Sequence, residues 1–112
     1  MTIEEMEVKL EKLLYNLGVS PQVVGFDYLR EAAAAWRPGK PLMQLYAYIA
    51  QLHGTKVANV ERACRHTIFR ACERAGYNSE WQRLFADICD PQRGAPTVGE
   101  FVARLWREIH AN

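Results

Sequence analysis

The sequence predicts an all-α fold, a single six-helix domain over residues 1–112 that contains a helix-turn-helix. Three observations carry that expectation. Apolar residues recur at offsets of three and four along most of the chain, and no run alternates convincingly with a period of two. Glycine, proline or a capping box stands wherever the helical period stops. The apolar fraction of 49% and charged fraction of 24% are those of an ordinary soluble globule, and 112 residues suffice for one core.

Thr2 and Glu5 have capping-box spacing, and Ile3, Met6, Leu10, Leu13, Leu14 and Leu17 follow at helical offsets until Gly18. Ser20 as N-cap and Pro21 at the first helical position then predict a short turn of helix ended by Gly25. Phe26, Tyr28 and Leu29 open a helix that continues through four alanines to Trp36, the alanines permitting close helix packing. The RPGKP run at 37–41 stops it, because proline disfavours helix at the preceding residue. Leu42, Leu45, Tyr46, Ile49, Ala50 and Leu52 mark the next helix, closed by Gly54, and a further one is expected over 57–75. After Gly76, Asn78 or Ser79 caps a helix with Trp81, Leu84, Phe85 and Ile88. A loop over 90–96 follows, and Thr97 with Glu100 repeats the capping box ahead of Phe101, Val102, Leu105, Trp106 and Ile109.

The stretch at 46–69 is the one that suggests chemistry. Ala50, Gly54 and Val60 have the offsets of a helix-turn-helix: a small residue where two helices cross, a glycine four later, and an apolar anchor six beyond that. At about 100° per residue, Val57, Val60, Cys64, Ile68, Ala71 and Ala75 share one face of the second helix, and Asn59, Arg62, Arg65, His66 and Glu73 the other. A recognition helix needs that division, one face packed and one presented to the major groove. Arg62 and Arg65 suit guanine edges or phosphates, Asn59 adenine, and Glu61 a cytosine amino group; His66 and Lys56 suit phosphates. Phe69 falls on the Arg62 and Arg65 face, where a partly covered ring is expected.

The formal net charge of +1 names no partner, but the charge is segregated. Lys56, Arg62, Arg65, Arg70 and Arg74 face only Glu61 and Glu73 between positions 53 and 74, with His53 and His66 nearby. Cys64, Cys72 and Cys89 form no CxxC pair and are odd in number, which suggests reduced thiols rather than a zinc site or disulfide framework. There is no signal-peptide core and no apolar run of membrane-spanning length, so a cytoplasmic protein with no membrane contact is expected. The scattered histidines and single glycines give no nucleophile–base arrangement and no phosphate loop, so no enzyme, metal or cofactor is expected.

LGV at 17–19, GFDYLREA at 25–32, LYAYIAQLHGT at 45–55, VERACRH at 60–66 and GAPTVGEF at 94–101 carry a resemblance over most of the chain. The chain resembles the C-terminal, DNA-binding effector domain of the stage-zero sporulation protein A response regulators of endospore-forming Firmicutes. That resemblance implies a six-helix domain that reads boxes of TGTCGAA type in double-stranded DNA through the major groove, a tandem homodimer on adjacent sites, and RNA polymerase as a further partner. By position it implies Glu61, Arg62, Arg65 and His66 as DNA contacts. Asn59 stands where the family commonly has arginine, and Phe69 where it usually has a polar residue.

Members of that family carry a phosphoacceptor receiver ahead of this domain, for which 112 residues leave no room. A stand-alone regulator, or one dependent on another protein, is therefore expected. A second reading keeps the fold but not the DNA: a protein-interaction module that modulates a full-length relative or RNA polymerase.

Overall fold

The periodic segments are six helices in the computed structural model, which describes residues 1–88 and 94–111. In chain order they are α1 (Ile3–Asn16), α2 (Val24–Ala35), α3 (Leu42–His53), α4 (Val57–Glu73), α5 (Ser79–Phe85) and α6 (Val98–His110). Among the described residues there is no strand. Cys89 and positions 90–93 of the expected loop lie outside the described residues.

Local chemistry sets most of the boundaries. The Thr2 hydroxyl accepts the Glu5 N–H at 3.1 Å at the start of α1. Thr97 and Glu100 form the full reciprocal box at α6, with bonds of 3.1 and 3.0 Å. Asn78, rather than Ser79, caps α5, its side chain accepting the N–H groups of Glu80 and Trp81. Gly18 and Gly54 take the left-handed conformation, φ 83° and 61°, that lets the chain turn after α1 and α3.

Four expectations are corrected. There is no short helix ahead of Gly25: the Ser20 hydroxyl accepts the Gln22 N–H at 3.3 Å, which holds a turn, and Gly25 lies inside the first turn of α2. Helix α4 stops at Glu73 instead of reaching 75, because the Ala75 N–H bonds the Cys72 carbonyl and tightens the last turn. Ile3 and Leu52 leave the core; with Tyr48 they line a surface groove beside α2.

Helix α2 is the centre of the molecule, packed on α1, α3, α4 and α6. Its Leu29, Ala32 and Ala33 are fully buried, and the small alanine side chains are what let four helices approach one. Against α4 the approach is closer still. A Cβ on Gly25 would lie 1.8 Å from the Thr67 hydroxyl oxygen and 3.0 Å from the Ala63 carbonyl oxygen, so only glycine fits. At the other end, Phe85 and Phe101 stack with ring centroids 5.1 Å apart and planes 4° from parallel, joining α5 to α6. Trp106 is half-buried on the outside of α6, against Trp36 and His110.

The end of α1 carries no basic residue in its last turn, and its spare carbonyls are satisfied from far along the chain. The Trp81 indole N–H donates to the Leu17 carbonyl at 2.7 Å, Asn78 to Asn16 at 3.0 Å, and Arg74 to Gly18 at 3.1 Å. These bonds tie α1 to the end of α4 and the start of α5. Helix α4 is thereby held at both ends, by its turn from α3 and by α1.

Candidate nucleic-acid interface

The turn between α3 and α4 is built by Gly54, whose φ of 61° and ψ of 38° let the Thr55 N–H return to the Ala50 carbonyl at 2.9 Å. Ala50 is 5% exposed and Val60 fully buried, so the small residue and the apolar anchor both lie inside the helix pair. Val60, Cys64, Thr67, Ile68 and Ala71 form the packed face of α4. Thr67 is the polar member of that face, which the apolar period of the sequence did not mark; its place opposite Gly25 accounts for it.

Asn59, Arg62, Arg65 and His66 are exposed on α4, as is Lys56 at its N-cap, and Glu61 is half-buried. They differ in their engagement. Arg65 Nη1 lies 2.6 Å from Glu61 Oε1, an i,i+4 ion pair between two of the expected DNA contacts. Asn59 donates to the Thr55 hydroxyl at 3.1 Å and so lies back over the turn. Lys56, Arg62 and His66 make no side-chain hydrogen bond or ion pair among the described residues. The start of α4 has no side-chain cap and no acidic residue in its first turn. Its free amide N–H groups and the helix dipole therefore present positive potential, with Lys56 beside them.

Behind the pair, Glu61 borders Tyr46 and Cys64. Burial raises the Tyr46 phenol above its usual range, and the neighbouring Cys64 and Glu61 add to the shift while Arg65 opposes it. Burial also pushes the Cys64 thiol up to about 12, with the Glu61 and Glu31 carboxylates contributing. Both groups are neutral at physiological pH, and Cys64 packs as a small apolar residue.

Phe69 is 50% exposed and lines a groove with Tyr46, Glu61, Arg65 and Pro96, between α4 and the segment leading into α6. His53, counted with the basic residues in the sequence, faces α2 instead. Its Nε2 lies 2.8 Å from Glu31 and its ring meets Tyr28 edge-on. Arg70 was singled out in the sequence only as part of the basic segment. It borders a groove that His66 shares, and its position four residues after His66 was the available signal.

Among the described residues no group of three or more His, Cys, Asp and Glu side chains could hold a metal ion. Among the described residues no helix is long and apolar enough to cross a membrane. Residues 10–109 match the family model described as Sporulation initiation factor Spo0A C terminal.

Proposed function

The chain belongs to the family of sporulation initiation factor Spo0A C-terminal domains, which are DNA-binding effector domains, and from that membership we propose a sequence-specific transcription regulator that reads TGTCGAA-type boxes with α4 in the major groove. The observation that supports the reading most directly is the split of α4: Val60, Cys64 and Ile68 pack inward while Lys56, Arg62, Arg65 and His66 stand in solvent. Arg62 and Arg65 are assigned the guanine edges and Asn59 an adenine, whereas Lys56, His66 and the open start of α4 meet phosphates. Glu61 accepts from a cytosine amino group or steers Arg65. A tandem homodimer on adjacent boxes and contact with RNA polymerase belong to the same proposal.

Selection of bound sequences from a random duplex library tests binding and site together. Arg62→Ala and Arg65→Ala are each expected to cost about 1–3 kcal/mol and relax specificity at one or two positions. Unchanged affinity for a TGTCGAA-type duplex at moderate salt would sink the assignment. The competing reading, an interaction module without strong DNA binding of its own, draws on the half-exposed Phe69 beside the recognition face. It requires a stable complex with a full-length relative or polymerase and a duplex affinity that does not fall as salt rises.

A further inference from the structure

Beyond His66 the basic face of α4 does not end. Taking about 100° per residue, Arg70 lies about 20° from Asn59 and 40° from His66 around the helix, so the three form one stripe with Arg62 at its edge. At 1.5 Å per residue, Arg70 is roughly 16 Å along the axis from Asn59. A major groove is about 12 Å wide. When the first half of α4 occupies the groove, its later turns pass over the sugar-phosphate backbone that borders it.

At that level the helix is not bare. The turn between α1 and α2 stands against it, and Ser20, His66, Thr67, Arg70 and Arg74 line one groove, closed on its apolar side by Val19 and Val23. Arg74 is fixed there by its bond to the Gly18 carbonyl at 3.1 Å. Arg70 is exposed and makes no side-chain hydrogen bond or ion pair among the described residues. Glu73, the carboxylate on this side of α4, is not among the groove's lining residues. Two guanidinium groups, an imidazole and two hydroxyls around a groove are the donor set of a phosphodiester site.

We infer that Arg70, with Ser20 and Arg74, grips the DNA backbone flanking the box, so that α4 reads bases with its first half and holds a phosphate with its second. This rests on the DNA-binding reading and extends it to a surface outside the helix-turn-helix, one that includes the turn between α1 and α2. The site carries no sequence information; it adds affinity and fixes the angle of α4 in the groove.

The test is duplex affinity as a function of salt for the wild type, Arg70→Ala and Arg70→Lys, alongside library selection with each. Arg74 is left in place because it also holds Gly18. Arg70→Ala is expected to bind every duplex several-fold more weakly, to lower the slope of log affinity against log salt by about one, and to select the same box. Arg70→Lys, which keeps the charge, is expected to restore the slope. A wild-type slope in Arg70→Ala, or a changed box, overturns the inference. A wild type with no salt-dependent affinity for any duplex rejects the DNA reading instead. Equal thermal midpoints among the three proteins separate a lost contact from a lost fold.

Discussion

Gly25 and Thr67 set how closely α2 and α4 approach: a methyl carbon on Gly25 would lie 1.8 Å from the Thr67 hydroxyl oxygen and 2.7 Å from its Cβ. Side chains cannot accommodate such an overlap without moving a helix. Gly25→Ala is therefore expected to destabilise the fold by about 2–3 kcal/mol despite its higher helix propensity, near the upper end of ordinary overpacking. Urea unfolding checks this. Thr67→Ala in the same background removes the hydroxyl but not the Cβ, and a partial recovery of the midpoint is expected.

The bonds that reach the end of α1 give a second expectation. Trp81 is 3% exposed, and its N–H to the Leu17 carbonyl, at 2.7 Å, satisfies a helix-end carbonyl. Trp81→Phe keeps an aromatic ring beside Phe85 and Phe101 but leaves that carbonyl unpaired. A loss of about 2–4 kcal/mol is expected, combining the unmet acceptor with the smaller ring. Hydrogen exchange should show the loss at the last turn of α1 as well as around α5.

The fold was legible in the sequence wherever one local interaction decides a boundary, as at Thr2, Thr97 and Gly54. It was not legible where a residue serves a distant partner. Gly25 reads locally as a helix stop and serves in fact as the point where α4 comes closest. Arg74, Asn78 and Trp81 carry no sign in the sequence that their targets are carbonyls at the end of α1. The candidate site divides in the same way. The exposed face of α4 follows from its period, and the Glu61–Arg65 pair from i,i+4 spacing, whereas the groove at Arg70 depends on Ser20 and Val23 folding back against α4.

Cys64 gives stability a dependence on alkaline pH. Its folded pKa is raised by burial to about 12, so the unfolded chain loses the thiol proton first as pH rises above about 8.5. The contribution is fully present below that point and is lost through the window up to about 12, at up to about 1.4 kcal/mol per pH unit. Tyr46, also raised, acts in the same direction at higher pH. Urea midpoints at pH 8 and pH 10.5 are expected to fall further in the wild type than in Cys64→Ala. In the native state the thiol is expected to resist alkylation at pH 8, in contrast to the half-buried Cys72.

Glu61 and Arg65 offer the sharpest separation between stability and recognition. As an i,i+4 pair between an exposed Arg65 and a half-buried Glu61 they stabilise α4 by only a few tenths of a kcal/mol, so Glu61→Gln should leave the thermal midpoint almost unchanged. In the complex the pair matters more. Arg65 either stays oriented by Glu61 or must leave it to reach a guanine, and Glu61→Gln makes the local charge one unit more positive in either case. If Glu61 orients Arg65 or accepts from a cytosine, Glu61→Gln relaxes the selected box at one or two positions while raising non-specific affinity, since a carboxylate facing the duplex is gone. If Glu61 instead only restrains Arg65, affinity rises on the specific box as well and the selected sequence stays the same. Library selection with the wild type and Glu61→Gln, at two salt concentrations, distinguishes the two; the half-buried position of Glu61 against Tyr46 favours the orienting role and hence the relaxed box.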